Sequence, residues 1–328
     1  MTEPFISVVV PTYNRRTSLQ RLLEALDRQT YPVSRFEVIV VDDGSGDGTP
    51  DFVRGWPAAY RLRVLQQEHA GPAAARNRGV GAANGELIVF LDDDVAPVAA
   101  LLQQHVRTHE AQPNAVVIGP MSPPGDWPRP VWVRWEEEQL LSQYEAMIAG
   151  VWSCTARQFY TGNASLARSR FLEAGGFDTT FQRAEDVELG YRLHDLGASF
   201  VFNPDADVLH YAYRSFESWC RTPYQYGRYD VVMQRNGRET LVWALREFQN
   251  RNPLNRALVR LLAGRRRGVN SAVGLLSGVM RLATQLGAYR PAQQALSAIF
   301  GLLYWQGICE ESGGRRVLLA LNQDQILA

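Results

Sequence analysis

The sequence lacks several features that would place the protein in a well-defined class. It has only three cysteines in 328 residues, Cys154, Cys220 and Cys309, which are too few and too widely spaced for a disulfide framework or a zinc site. There is no signal-peptide pattern at the amino terminus, and no apolar run approaches the roughly 18 residues that cross a membrane. We therefore expect a cytoplasmic protein with free thiols.

Two common nucleotide-binding motifs are also absent. No G-x-x-x-x-G-K-[ST] segment occurs, which excludes a P-loop nucleotide hydrolase. The first strand-like segment runs into Pro11-Thr12-Tyr13-Asn14 and not into the G-x-G-x-x-G turn of dinucleotide-binding folds, which argues against a nicotinamide dehydrogenase. Any nucleotide must be bound by a different arrangement of side chains.

The first 120 residues alternate between strand-like and helix-like patterns. Apolar runs predict strands, and apolar residues at helical spacing predict helices between them. The predicted strands cover residues 5–10, 36–41, 62–65, 87–91 and 115–118, and the predicted helices cover residues 15–29, 72–83 and 97–110. This order favours an α/β fold with a mostly parallel sheet flanked by helices.

Prolines interrupt this pattern between Pro120 and Pro130, where we expect an ordered loop. Further along, the pattern predicts a helix over residues 184–196 and short strands over 199–202 and 207–209. The chain from residue 215 onward is mainly helical in pattern. We predict a domain over residues 1–212, in two halves that meet near residue 120, and a helical region over residues 213–328.

The strand predicted over residues 87–91 stops at three consecutive acids, Asp92, Asp93 and Asp94. Open α/β sheets bind ligands outside the carboxyl ends of their strands, so these carboxylates lie where a nucleotide and its metal ion would bind. Magnesium and manganese take carboxylate oxygens and leave positions for phosphate oxygens. For the triplet alone, an exposed acidic turn is the alternative.

A second acid pair, Asp42 and Asp43, follows the strand predicted over residues 36–41. The carboxyl ends of parallel strands share one edge of a sheet, so both acid groups can face a single crevice. One nucleotide could then span them, with Asp43 at the base and the triplet at the phosphates. In the helix that follows Gly71, Arg76 is expected to reach a phosphate or the base.

Six segments, taken in order, resemble glycosyltransferase family 2, whose members are inverting enzymes of GT-A fold. The segments are SVVVPTYNR, VDDGSGDGT, GPAAARNRG, the strand ending in LDDD, TGNASLARSRFLEAGGFD and AEDVELGYRL, over about residues 5–211. None is decisive alone, but six in this order are very specific. The resemblance implies a Rossmann-like GT-A catalytic domain over residues 1–212, with the nucleotide-sugar half up to about residue 120 and the acceptor half over about 121–212.

The resemblance also implies a donor pocket. Pro11 and Tyr13 would line the pocket of the nucleotide base, and Asp43 would accept a hydrogen bond from that base. Arg76 would lie beside the base or the diphosphate.

The acid triplet matches the D-x-D pair of the family. Asp94 would be the direct metal ligand with Asp92 in support, and Asp93 would lie near the sugar or ribose. His210 resembles the histidine that completes the metal site in many GT-A enzymes, so the implied ligands of Mn²⁺ or Mg²⁺ are Asp94, Asp92 and His210. The remaining histidines are expected to be incidental: His69, His105, His109 and His194.

Asp186 matches the catalytic base of the family. Such a carboxylate takes the proton of the acceptor hydroxyl as its oxygen attacks the anomeric carbon opposite the diphosphate. Glu185 is the adjacent candidate, and a helix dipole would stabilise acids at both positions, so the residues alone do not choose between them. Gly162 and Asn163 would form part of the floor beneath the transferred sugar.

The predicted function is therefore transfer of a sugar from a nucleoside-diphosphate donor, with uridine expected as the base, to an acceptor hydroxyl in the synthesis of cell-surface glycans or glycolipids. Alternatives are the same chemistry on a soluble or protein acceptor, or a sugar nucleotidyltransferase. The expected partners are a nucleotide sugar and a glycan acceptor, which in one alternative is linked to a lipid. Nucleic acid is not an expected partner. The sequence identifies neither the sugar nor the acceptor.

The carboxyl-terminal region lacks acids over a long stretch. No Asp or Glu occurs between Glu247 and Glu310, although eight arginines do, while the whole chain has a net charge of +0. Two amphipathic patterns are expected to present basic and apolar faces: Leu254, Leu258, Leu261 and Leu262, then Val269, Val273, Leu276 and Met280. This region is expected to bind the anionic inner face of the membrane. The alternative is a helical subdomain that covers the sheet or forms a homodimer.

Overall fold

The computed structural model of the protein describes residues 3–322, which form two compact units. The first unit contains the described residues up to Pro128 together with Glu137–Ala212, and the second contains Arg129–Glu136 together with the described residues from Tyr213 onward. Across residues 3–322 no helix combines the length and the apolar character needed to span a membrane. Each unit has hydrophobic cores of its own.

The described strands all belong to the first unit. In chain order they are β1 (Ile6–Thr12), β2 (Phe36–Asp42), β3 (Arg61–Gln66), β4 (Leu87–Leu91), β5 (Val95–Pro97), β6 (Ala115–Ile118), β7 (Met121–Ser122), β8 (Asn163–Ala167), β9 (Ser199–Phe202) and β10 (Val208–His210). Seven form a main sheet in the order β3-β2-β1-β4-β8-β6-β9, and β5, β10 and β7 form a small second sheet.

The parallel half of the main sheet brings the predicted acid groups to one edge. β3, β2, β1 and β4 are parallel neighbours, with Thr12 level with Asp42 and Val9 level with Phe90. The residues that follow β1, β2 and β4 therefore emerge side by side. β8 is the exception to the parallel pattern, because it runs antiparallel to both β4 and β6.

Helices cover both faces of this sheet. In chain order those of the first unit are α1 (Arg16–Leu26), α2 (Thr49–Arg54), α3 (Pro72–Ala82), α4 (Leu101–Ala111), α5 (Val131–Ile148, grouped with the second unit up to Glu136), α6 (Arg168–Glu173) and α7 (Glu185–Asp195). Alternate residues of β1 point to opposite faces, so Val8 packs in the core beneath α1 and α4 while Val9 packs in the core beneath α3, α6 and α7.

Three local predictions differ from the structure. The helix expected from residue 97 begins only at Leu101, because Val95–Pro97 pairs with β10 as β5. The loop expected between Pro120 and Pro130 contains the short strand β7, which pairs with β10. β8 was not predicted, since its sequence is short and rich in small residues and lacks an apolar run.

The second unit is helical, as the sequence predicted. Its helices from residue 213 onward are α8 (Phe216–Arg235), α9 (Thr240–Gln249), α10 (Pro253–Leu262), α11 (Arg266–Gln285) and α12 (Tyr289–Glu311), followed by a 3₁₀ segment over Arg315–Asn322. Side-chain oxygens cap two of them: the Ser215 hydroxyl accepts from the backbone N–H of Ser218 at α8, and the Asn252 amide accepts from that of Leu254 at α10.

Residues 129–136 also belong to this unit, although the sequence prediction placed them in the first domain. The reason is aromatic packing. Trp132 contacts Phe216 with 5.3 Å between ring centroids, and Trp135 contacts the fully buried Trp219 at 5.7 Å.

Two glycines let α8 and α12 approach closely. A Cβ atom at Gly227 would lie 2.0 Å from the carbonyl oxygen of Tyr304, and one at Gly307 would lie 2.1 Å from that of Tyr224. Both obstacles are backbone atoms, which cannot rotate away as a side chain can. The crossing of these two helices therefore requires glycine at both positions.

Replacing Gly307 with alanine is expected to destabilise the protein by about 1–3 kcal/mol, the usual cost of forcing an extra carbon into a packed core. Urea unfolding followed by circular dichroism measures this. Gly278→Ala is the matched control, because nothing lies within 4 Å of its Cβ position on α11; it should stabilise the helix by about 0.5–1 kcal/mol. Equal stability of the two variants would contradict the close crossing.

Candidate active site

The acids that follow β4 point in three directions. Asp92 pairs with Arg76 of α3, with 2.7 Å between Oδ1 and Nη2. Asp93 accepts a hydrogen bond of 2.8 Å from the Thr12 hydroxyl at the end of β1. Asp94 Oδ1 faces His210 Nε2 at 3.5 Å. The triplet thus connects three parts of the first unit, and its members have separate surroundings.

Arg76 joins the triplet to the start of α7. Its Nη1 lies 3.2 Å from Glu185 Oε1 while its Nη2 holds Asp92, and its side chain is only 6% exposed. Burial lowers the pKa of the guanidinium, but the charges of Asp92, Glu185 and Asp186 outweigh it and raise that pKa above its ordinary value. Arg76 is therefore not a surface arginine, while its expected contact with the base or the diphosphate stays a prediction.

The first turn of α7 carries both candidate bases. It follows Ala184, which has the left-handed backbone conformation (φ 61°) that a residue with a side chain rarely adopts. Strain of this kind costs about 1–2 kcal/mol and often occurs at functional sites. The conformation starts the helix at Glu185, whose carboxylate is held by Arg76.

Asp186 differs from Glu185 in its partners. Within residues 3–322 its carboxylate has no cation at salt-bridge distance, and it accepts only the backbone N–H of Val187, at 2.8 Å. Burial, and then the negative charge of Glu185, raise the pKa of Asp186 to about 7, while Arg76 and Arg183 oppose that shift. A carboxylate with this pKa can accept a proton near neutral pH.

The small second sheet brings His210 to Asp94. The antiparallel pairing of β10 with β5 sets His210 opposite Val95, and the Tyr211 backbone N–H donates to the Asp94 carbonyl at 2.9 Å. Burial opposes ionisation of the Asp94 carboxyl, but the hydrogen bond and charge of His210, and then those of Arg15, hold its pKa well below the usual range. Asp94 is thus an ionised acid beside an imidazole.

Arg15 also reaches the triplet. Its Nη1 lies 2.5 Å from Asp94 Oδ2 and 3.3 Å from Asp93 Oδ1. The preceding Asn14 has a left-handed backbone (φ 52°), and its side chain accepts the backbone N–H of Gly46 at 2.8 Å, which fixes the loop after β1 to the loop after β2. This positions a positive charge against two acids.

Asp93 is nearly buried beneath this loop. Burial, and then the charges of its two acidic neighbours, raise the pKa of Asp93 to about 7, although Arg15 and the Thr12 hydroxyl oppose the shift. Its hydrogen bonds hold the end of β4 to the end of β1.

The structure brings together two of the three predicted metal ligands. Across the described residues, no three His, Cys, Asp or Glu side chains converge as a metal site. Asp94 and His210 are paired, whereas Asp92 is turned to Arg76. A carboxylate and an imidazole suit a manganese-type ion that takes its other ligands from water and phosphate. The side chains of Asp94 and His210 therefore fit such an ion as ligands, and Asp92 supports the site through its contact with Arg76.

Asp43 has a dense shell of partners at the end of β2. Its carboxylate accepts from the Gln67 amide at 2.7 Å and from the backbone N–H groups of Ala70 and Gly71 at 2.9 and 2.8 Å, and it faces His69 Nδ1 at 2.9 Å. This shell fixes the loop between β3 and α3, and with it the start of α3.

Tyr13 lies beside this carboxylate and is exposed. Its ring stacks on that of His69 with 4.3 Å between centroids, which makes an aromatic surface above Asp43. Pro11, by contrast, is buried within β1. His69, which was expected to be incidental, contacts both Tyr13 and Asp43.

Gly162 and Asn163 lie behind the triplet. The Gly162 carbonyl accepts the Asp92 backbone N–H at 3.3 Å, and a Cβ at Gly162 would lie 2.6 Å from Met121 Cε and 3.0 Å from Asp92 Oδ2, so a larger residue would require these side chains to move. The Asn163 amide is fully buried and donates to the carbonyls of Pro120 and Ala206, both at 2.8 Å. The Asn163 side chain is thus turned toward these two carbonyls, and its expected place in the floor beneath the sugar stays a prediction.

Sequence reasoning missed two residues at this edge, Arg15 and His69. Both had a weak signal, since Arg15 follows a strand end within the PTYNR segment and His69 lies two residues before the GPAAARNRG segment. Their contacts depend on loop conformations, including the left-handed Asn14, that no periodicity reveals.

Solved structures of other proteins share this fold. The mannosyltransferase PcManGT from Pyrobaculum calidifontis, in complex with GDP-Man and Mn²⁺, superposes with a TM-score of 0.61 at 22% identity, covering 93% of this chain and 88% of that one. TarS 1–349 of S. aureus, in complex with UDP, gives 0.55 at 21% identity, covering 94% and 92%. The predicted GT-A fold is confirmed.

The family follows from the sequence. The model of glycosyl transferase family 2 matches residues 7–173, half of the chain, so the protein belongs to this family. Validoxylamine A glucosyltransferase of Streptomyces hygroscopicus subsp. jinggangensis (strain 5008) is 35% identical over 226 residues, 59% of this chain and 52% of that protein. Pre-mycofactocin glycosyltransferase of Mycobacterium tuberculosis (strain ATCC 25618 / H37Rv) is 31% identical over 235 residues, 68% and 46%. The chain thus spans about half the length of these curated relatives.

Proposed function

We propose that the protein transfers a sugar from a nucleoside-diphosphate donor to an acceptor hydroxyl with inversion at the anomeric carbon. The observation that carries this proposal is the buried Arg76, which bridges Asp92 and Glu185 and so joins the donor-side acids to the helix turn that carries Asp186. An inverting transfer requires that proximity, because the base and the leaving diphosphate act on opposite sides of one carbon.

In the proposed reaction, Asp186 takes the proton of the acceptor hydroxyl. The acceptor oxygen forms a bond to the anomeric carbon while the bond from that carbon to the diphosphate oxygen breaks, and the nucleoside diphosphate leaves with the electron pair. Glu185 is the weaker candidate for the base, because its carboxylate is already neutralised by Arg76. Asp186 has no such partner among the described residues and has a raised pKa.

A divalent ion held by Asp94 and His210 would neutralise negative charge on the leaving diphosphate. We expect this ion to be Mn²⁺ or Mg²⁺, in keeping with the Mn²⁺ bound to the mannosyltransferase that shares the fold. Arg15 already places positive charge at the same carboxylates. When the ion binds, the Arg15 guanidinium would either bind the diphosphate together with the ion or move away from it.

The base of the donor would lie on the ring of Tyr13 with Asp43 at its edge. We propose uridine, and guanosine is the rival, since the two structural neighbours were solved with UDP and GDP-Man. For the acceptor we propose a cell-surface glycan or glycolipid precursor at the cytoplasmic side. The three free cysteines suit that reducing compartment.

A panel of nucleotide sugars tests the proposal. A ligand at 100 times its dissociation constant stabilises the folded state by about 2.7 kcal/mol, which a thermal-shift assay detects. We expect UDP or UDP-sugars to raise the melting temperature more with Mn²⁺ than without it, and slow metal-dependent release of free sugar and UDP in the absence of acceptor. Stabilisation by no nucleotide at all, or formation of a sugar 1-phosphate, would contradict it.

Replacement of Asp43 by asparagine is expected to weaken binding of UDP by about 10- to 100-fold, or 1.4–2.8 kcal/mol, since the amide cannot serve all the donors that the carboxylate now faces. Calorimetric titration with UDP and Mn²⁺ measures this. Asp51→Asn is the control, because that side chain is 86% exposed on α2. Equal affinity of the two variants for UDP would show that Asp43 does not contribute to the base pocket.

A further inference from the structure

The second unit exposes a continuous apolar face on α11. Leu275, Val279, Leu282 and Leu286 are spaced by four, three and four residues, so they share one side of the helix. They are 44–73% exposed. We call these four residues the outer stripe.

The outer stripe is not the face that the sequence pattern singled out. Val269 and Met280, on the predicted face, are 1% exposed and belong to the core of the second unit. That face is therefore accounted for by folding. The outer stripe lies on another side of α11 and has no such role.

The preceding helix has a similar face. Leu254 and Leu261 on α10 are 79% and 60% exposed, and a spacing of seven residues places them on the same side, two turns apart. Of the fourteen exposed large apolar side chains of the described residues, five lie on these two helices and a sixth, Leu286, directly follows α11. Such concentration marks an interaction surface.

The charges around the two helices have one sign. No acid occurs in residues 248–309, and every one of the 34 basic residues of the chain is an arginine. Arg265, Arg266 and Arg267, at the connection of α10 to α11, are all exposed, as is Arg281. Arg267 and Arg281 are about four turns apart and so lie on one side of α11, next to the outer stripe.

This charge pattern selects the occupant. A second copy docked on the same face by two-fold symmetry would bring these arginines together, with no acid of this stretch to pair them. An anionic lipid surface complements them, since the guanidinium fork matches phosphate oxygens and each arginine near such a surface contributes about 1 kcal/mol.

We propose that α10 and α11 dock the protein on an anionic bilayer, with the outer stripe in the boundary between headgroups and acyl chains and the arginines on lipid phosphates. This is the geometry of a helix that lies in the plane of the interface. The docking goes beyond the proposed transfer reaction and does not depend on the donor sugar.

Vesicle flotation of the full chain tests the docking. Wild type should float with phosphatidylcholine vesicles that contain phosphatidylglycerol and much less with phosphatidylcholine alone. The variant L275Q/L282Q/L286Q should partition to the vesicles at least about tenfold less than wild type. The variant R267Q/R281Q should also bind less, and high salt should weaken the binding of wild type in the same way. Leu172→Gln, a 49% exposed leucine on α6, is the matched control and should float as wild type does.

Circular dichroism melting verifies that each variant is folded, and the arginine variant gives a second test if the leucine variant is not. Flotation of L275Q/L282Q/L286Q equal to wild type would overturn the proposal. The proposal would also be overturned if wild type were a dimer, L275Q/L282Q/L286Q were a monomer and neither protein floated, because a second copy would then cover the outer stripe. Donor binding by thermal shift is a separate readout, so failure of the proposed transfer reaction can be distinguished.

Discussion

Replacing Asp186 with asparagine is expected to lower the rate of transfer by about 10²- to 10⁴-fold, the usual contribution of a general base. The change keeps the size of the side chain and its hydrogen bond from the Val187 N–H. It also leaves Arg76 paired with Asp92 and Glu185. Donor affinity should therefore remain close to that of wild type. Steady-state kcat, together with calorimetric titration of the donor, measures both quantities.

The control for this variant lies on the same helix. Asp195→Asn removes a carboxylate that is half exposed at the other end of α7, and it should leave kcat and donor affinity unchanged. Glu185→Gln should behave differently from both. It removes a partner of the buried Arg76, so we expect lower stability by about 1–3 kcal/mol as well as lower activity. Transfer by Asp186→Asn at the wild-type rate would refute Asp186 as the base.

The pH profile follows from the same residue. A base must be ionised, and burial together with the charge of Glu185 raises the pKa of Asp186 to about 7, against Arg76 and Arg183. We therefore expect kcat to rise with pH up to about pH 7 and then level off. The Asp195→Asn control should give the same curve. A kcat that is flat from about pH 5.5 to 8.5 would show that proton transfer to this carboxylate does not limit the reaction.

The sequence predicted the main elements of the first unit because they depend on local patterns. The apolar runs that form β1, β2 and β4 are continuous, so their strands and the acids after them could be located directly. β8 escaped prediction because its five residues are mostly small and polar, and it becomes a strand by pairing with β4 and β6. Tertiary pairing and not propensity decides such a segment.

The candidate site likewise contains residues that the sequence located and a contact that it could not predict. The family resemblance located Asp94 and His210, which the pairing of β5 with β10 brings to 3.5 Å. The turn of Asp92 away from them could not be predicted, because it depends on the buried Arg76 and its second partner, Glu185. One arginine thus separates Asp92 from the pair of Asp94 and His210, which leaves two protein ligands for the proposed metal ion. The arrangement gives the acids of the triplet different expected effects when each is replaced.

Replacing Asp94 with asparagine is expected to remove most of the metal dependence of donor binding. Loss of an outer-shell partner usually costs about 10- to 100-fold in metal affinity, and loss of a ligand should cost at least the upper end of that range. The ionised carboxylate lies between His210 and Arg15, and the amide would not replace its charge toward a cation. The free Mn²⁺ signal in electron paramagnetic resonance measures affinity without any need for turnover.

Two further variants separate binding of the ion from support of the site. Asp205→Asn changes an exposed acid just before β10 and should bind Mn²⁺ as wild type does. Asp92→Asn should retain most Mn²⁺ affinity but lower the melting temperature, since it leaves the buried Arg76 with only Glu185. If Asp92→Asn lost Mn²⁺ and Asp94→Asn kept it, the roles assigned to the two acids would be reversed. Because Arg76 holds Asp92 while Asp94 faces the imidazole, we expect Asp94→Asn to have the larger effect on the metal.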